Sequence, residues 1–205
     1  MAVKLTKNEQ KKQKDQLKQY QRYLPTLQLK KQQLQMVIRQ IEAEVDRFRK
    51  QQQAVVAGLQ DWVAVYHENR FFREELRLEH LVQIDRVVKA RGNIAGVSIP
   101  VFKELTFKPI AYDLHEYPLW VDTGIASLRD VARYDALIAT LEQQISLLGK
   151  ELRTTSQRVN LFEKVKIPES KENIRRIGIY LGDQQTAAVV RGKIAKKKLV
   201  KVTAS

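Results

Sequence analysis

From Leu17 to Tyr66 the apolar residues recur at alternating spacings of three and four. The positions are Leu17, Tyr20, Leu24, Leu27, Lys31, Leu34, Ile38, Ile41, Val45, Phe48, Gln52, Val55, Leu59, Trp62 and Tyr66, and only Lys31 and Gln52 are not apolar or aromatic. A mean repeat of about 3.5 residues is the period of a left-handed coiled-coil seam, not of a strand. At about 1.5 Å per residue the stretch predicts a rod of roughly 75 Å. A seam of that length needs a partner helix to cover it. The partner begins after Asp122-Thr123-Gly124, which supplies N-cap candidates. Ser127, Val131, Tyr134, Ile138, Leu141, Ile145, Leu148, Leu152, Thr155, Val159 and Phe162 follow the same alternation. Two such stretches in one chain fold back most simply as an antiparallel pair. The seam residues expected to carry it are Leu34, Ile38, Ile41, Val45 and Phe48 against Ile138, Leu141, Ile145, Leu148 and Leu152.

Between the two helices the pattern changes. Leu81, Val82, Ile84, Val87 and Val88 form a β-prone run, Gly92 to Gly96 reads as a turn cluster, and Val97 to Phe107 is a second β-prone run. This predicts a β-hairpin, with Pro100 marking the second strand as an edge or a late start. The predicted fold is therefore mainly α: a long antiparallel two-helix coiled coil with a small β-hairpin insertion. The expected parts are a first shaft helix over 1–79, an insertion over 80–122, and a second shaft helix over 123–205 that forms one coiled-coil domain with the first. Pro25 and Pro168 interrupt the helical stretches. If Tyr66 pairs near Ser127, the two prolines face each other and both helices kink at one level. The second seam resumes loosely at Ile174, Ile177 and Leu181. Residues 1–16, rich in Lys and Gln, read as a solvated, frayed start.

The net charge of +14 is concentrated at the two ends. Residues 1–50 hold 13 Lys and Arg against 5 Asp and Glu, residues 151–205 hold the same numbers, and the middle holds 11 against 13. Such ends favour an acidic partner: a protein surface, nucleic acid or anionic lipid. There is no cysteine, so disulfides and thiolate chemistry are excluded. No apolar run reaches the ~20 residues of a membrane span. A cytoplasmic protein without direct membrane insertion is expected.

Catalytic patterns are missing. Gly192-Lys193 is followed by Ile194 and does not make a P-loop. His67-Glu68 lacks the second histidine of a zinc helix, since Phe71 stands there. Glu74-Glu75 sits in a charged helix tail, where solvation is the simpler reading. We expect no catalytic residue, no cofactor and no metal. The lysine runs carry no interleaved aromatics and no nucleic-acid-binding motif accompanies them. A basic coiled-coil adaptor for nucleic acid or an anionic membrane surface remains the alternative on charge alone.

The stretch Arg158-Val159-Asn160-Leu161-Phe162-Glu163-Lys164-Val165-Lys166-Ile167-Pro168, continuing to Asn173-Ile174-Arg175-Arg176-Ile177, resembles the R-V-N-x-x-E-x-x-x-I-P block of the D subunits of the V-type/A-type ATPases, in their bacterial branch. Leu24-Pro25-Thr26-Leu27 through Leu34 is similar to that family's first-helix pattern, with Gln32 where the usual form has Arg. The resemblance implies a non-catalytic central rotor shaft. Its paired terminal helices would insert into the ring of catalytic A and non-catalytic B subunits. Its other end would meet the F subunit and the C/d subunit that caps the membrane rotor. The complex would couple ATP hydrolysis or synthesis to proton or sodium transport, and the chain would sit at the cytoplasmic side, peripheral to the membrane. In that setting Lys11, Lys12, Arg22, Arg175, Arg176, Lys196, Lys197 and Lys198 are the candidate ring-facing charges, and no nucleic acid is expected.

Overall fold

A computed structural model describes residues 3–60, 78–113, 115, 117 and 120–203. The expected continuation of the first seam through Trp62, Tyr66, Phe71, Phe72 and Leu76 lies outside them, as do His67, Glu74, Glu75 and Pro118. The chain is mostly helical. Helix α1 spans Lys7–Gln60, strands β1 and β2 span Ile84–Ile94 and Val97–Phe107, and helix α2 spans Val121–Leu161. A π-helical turn, Phe162–Lys166, then leads into helix α3, Ile167–Thr203. The long N-terminal and C-terminal helical stretches pack against each other, antiparallel, with a two-stranded antiparallel sheet between them in sequence. Two compact units result, residues 1–31 with 154–205 and residues 32–153.

In the second unit the covered face of α1 follows the three-four spacing. Leu34, Ile41 and Val45 are buried, and Ile38 and Phe48 are half-buried. From α2, Ile138 and Leu148 are buried, and Leu141, Ile145 and Leu152 half-buried. Leu34, Ile41 and Leu148 share one cluster with Ile99 of β2, so the hairpin closes this core from the side. Polar contacts between the helices add direction. Arg49 Nη2 meets Glu142 Oε1 at 2.5 Å, and Gln52 Nε2 donates to Asp135 Oδ1 at 2.6 Å. Gln52, which interrupts the apolar line, thus has a specific partner on the facing helix. A second cluster of Leu81, Val121 and Ile125 joins the base of the hairpin to the start of α2.

The hairpin differs in detail from its predicted form. Leu78–Leu81 is a short 3-10 turn, and β1 begins only at Ile84. Gly92 and Asn93 belong to the strand, paired with Ile99 and Ser98. The loop itself is only Ala95 and Gly96, with φ of 51° and 81°. Two consecutive positive φ values make a tight turn whose twist suits a two-residue hairpin. The Asn93 side chain accepts the Gly96 N–H at 3.0 Å. Pro100 stands within β2, opposite Arg91, and its carbonyl accepts a 2.5 Å hydrogen bond from Gln144 Nε2 of α2. Ala95 is the strained residue here, because a Cβ disfavours the left-handed region. Ala95→Gly should therefore raise stability by about 0.5–1 kcal/mol, read from the midpoint of urea unfolding. Gly96→Ala should lower it by a similar amount.

In the first unit the start of α1 is defined, not frayed. The Thr6 hydroxyl accepts the Glu9 N–H at 3.3 Å, and the Thr6 carbonyl accepts from Gln10 N–H. Thr6-Lys7-Asn8-Glu9 is the T-x-x-E form of a capping box, the signal that the lysine-rich composition obscured. Helix α1 continues through Pro25, and the Thr26 hydroxyl donates to the Tyr23 carbonyl at 2.7 Å. Tyr20 packs on Phe162, ring centroids 5.1 Å apart, and Gln10 lies beside Gly178. These contacts offset the register from the one that would set the two prolines face to face. In an antiparallel pair they place Pro25 and Pro168 roughly 8–16 Å apart along the axis, at about 1.5 Å per residue.

Candidate interaction surfaces

Two open grooves lie among the described residues. One, in the first unit, is lined by Lys7 and Gln10 of α1 with Gly178, Leu181, Gly182 and Gln185 of α3. Another runs along a single face of α1 over Gln32, Met36, Arg39, Gln40 and Ala43. Among the described residues no group of three or more His, Asp or Glu side chains could hold a metal ion. No helix among them is long and apolar enough to cross a membrane.

All eight candidate charges are exposed: Lys11, Lys12, Arg22, Arg175, Arg176, Lys196, Lys197 and Lys198. They fall in one unit, drawn from both ends of the chain. Their surroundings differ. Arg175 meets Glu172 through Nε and Nη2, each at 2.8 Å, and Arg176 Nε reaches the same carboxylate at 2.9 Å. The hydrogen bonds from Arg175 and then Arg176 hold the Glu172 carboxyl down at about 2. Two of the eight charges thus share an internal counter-charge.

The sign of the pH effect follows. A depressed carboxyl contributes stability that is full above its unfolded value near 4.5 and fades as pH falls towards about 2. Glu172→Gln should therefore flatten the loss of helix between those values, followed by far-UV circular dichroism. Because the group is exposed, salt should shrink the difference.

At the C-terminal end every residue from Ala188 to Lys198 is exposed, although all are helical. This stretch carries Arg191, Lys193, Lys196, Lys197 and Lys198 and no acidic residue. It also presents Val189, Val190 and Ile194, each half exposed or more. Periodicity did not single out these three aliphatic residues, since they lie off the seam. A helix bare on all sides gains nothing from tertiary packing, the usual source of helical stability. A basic helix that also shows branched aliphatics fits an enclosing partner better than solvent.

At the base of the hairpin, Phe107 lies under two guanidinium groups, Arg129 at 5.6 Å and Arg133 at 5.7 Å. Tyr112 O–H donates to Asp122, and that carboxylate raises the tyrosine's proton affinity. These contacts tie the loop after β2 to the start of α2.

Comparison with known proteins adds an independent finding. The family model of the ATP synthase D subunit matches residues 9–197. The chain is 52% identical to the V-type ATP synthase D subunit of Borreliella burgdorferi, over 97% of this chain and 96% of that protein. It is 35% identical to the protein of the same name from Chlamydia abortus, over 96% and 93%. For the Chlamydia pneumoniae protein the figures are 32%, 97% and 94%.

Proposed function

Because the chain belongs to the ATP synthase D-subunit family, we propose that it is the non-catalytic central stalk of a V-type ATP synthase. In this role it couples ATP hydrolysis or synthesis on a nucleotide-binding ring to the transport of protons or sodium ions. The ring of A and B subunits, the F subunit and the rotor-capping C/d subunit are its partners. The observation that most supports the reading is the bare basic helical end from Ala188 to Lys198. Its charge favours an acidic lining, and its exposed Val189, Val190 and Ile194 gain from being enclosed. A long helical pair is also a suitable element for transmitting torque, since its backbone hydrogen bonds lie within each helix.

Native purification from the source membranes tests this. The stalk reading expects the chain to come with large nucleotide-binding subunits in excess over it. Recovery of nucleic acid without those subunits, with binding that falls steeply with salt, would establish the basic-adaptor alternative instead.

A further inference from the structure

The C-terminal helical stretch carries one residue too many for a continuous seam. Thr155, Val159 and Phe162 face α1 at spacings of four and three, and the first two are buried. In an unbroken α-helix that alternation would next bring Lys166, Glu169, Asn173, Arg176 and Tyr180 against α1. Instead Ser170 and Ile177 are buried, at 4% and 0% exposure, and Ile174 and Leu181 are half-buried. Glu169, Arg176 and Tyr180 point to solvent. From Ser170 on, the buried positions come one residue late.

The π-turn is where the delay is taken up. Ile167 N–H donates to the Phe162 carbonyl five residues back, so this turn holds one residue more than an α-turn. One residue is about 100° of rotation in an α-helix. Pro168 follows at once. It has no N–H to offer the Lys164 carbonyl, so the α-helical ladder is already incomplete here and the local cost of a wider turn is reduced. The Arg158–Pro168 block that carries the family resemblance is the segment that builds this turn.

We propose that the π-turn at 162–166 is a phase-setting joint. It absorbs the surplus residue, and so fixes which face of α3 meets α1 and at what azimuth the exposed charges from Arg175 to Lys198 are presented. The joint is a property of this chain's own backbone and stands whichever complex the chain joins. The competing account makes the turn a local response to Pro168, with the inward face of α3 incidental.

The full-length chain has no cysteine, so single thiols report the phase cleanly. Glu169→Cys and Ser170→Cys are each labelled with a maleimide. Ser170→Cys should react at least about tenfold more slowly, since a buried thiol reacts only when the helix opens. Both measurements are then repeated after deletion of Lys164, an exposed residue of the turn, and separately with Pro168→Ala. The joint predicts the same ratio in all three backgrounds. Removing the surplus leaves a continuous α-helix with the same face inward, and the surplus remains when only the proline is replaced. A ratio near one in the parent overturns the proposal. So does a fall of the ratio to near one on deleting Lys164, which would mean that the wider turn had persisted and α3 had rotated by one residue, bringing Lys171 inward. Loss of the helical circular dichroism signal in the deletion variant overturns it as well, as does reversal of the ratio with Pro168→Ala, which would mean that the turn had closed with the proline's removal and brought Glu169 inward.

Discussion

Leu34→Ala is expected to lower the stability of the chain by about 2–5 kcal/mol, among the largest effects open to a single substitution in the seam. Leu34 is fully buried, and it packs in one cluster with Ile41, Leu148 and Ile99. Removing its side chain leaves a cavity touched by both helices and by the hairpin, and two long helices cannot collapse easily around a missing residue. Leu148→Ala, equally buried across the seam, should cost a similar amount. The double variant should lose less than the sum, because the two side chains line the same space. Met36→Ala, on the exposed face of α1 two residues away, should stay within about 0.5 kcal/mol of the parent. Urea unfolding followed by circular dichroism separates these cases. A Leu34→Ala midpoint equal to that of Met36→Ala would mean that the cluster does not hold the unit together.

The second large effect concerns assembly. Replacing Lys196, Lys197 and Lys198 by glutamine removes three cations from a stretch without an acidic residue. If this end enters an acidic sleeve, association should slow by roughly tenfold to a thousandfold at low salt, and by much less at high salt. Replacing Arg175 and Arg176 by glutamine should slow it less, since Glu172 already offsets part of their charge. Surface plasmon resonance against the immobilised nucleotide-binding subunits gives the rates. An unchanged association rate at low salt for the triple variant would remove charge from the docking step.

The helices were legible because their information is local and repeated. An apolar residue every three or four positions from Leu34 to Val45, and again from Ile138 to Leu148, leaves few alternatives to a paired helix. Register was not legible from that repeat. Sliding one seam by seven residues leaves an apolar pattern unchanged, so the assumed pairing near Tyr66 and Ser127 had nothing to correct it. The polar pairs Arg49–Glu142 and Gln52–Asp135 break that degeneracy, and they are known only once the helices are side by side. The hairpin was legible as an element and blurred at its ends. Gly92 and Asn93 carry turn chemistry but sit in a strand, where the cross-strand neighbours Ile99 and Val101 leave little room for a Cβ at Gly92. The π-turn left a trace that reads clearly beside the structure. Phe162 and Ile174 are twelve residues apart, one more than a four-three-four step allows, and a proline stands between them.

The hairpin's edges have a consequence for the chain before it finds its partners. A two-stranded sheet has two open edges, each a template for a further strand from another copy. On β2 that edge meets α2, where Pro100 has no N–H to offer and its carbonyl is already held by Gln144. On β1 the exposed residues include Asp85, Arg86, Lys89 and Arg91, and the register is irregular between Ile84 and Arg86 and between Val88 and Lys89. A proline, charged side chains and bulges are the features that discourage sheet-to-sheet growth. Separate copies of the chain are thereby protected from aggregating through this sheet.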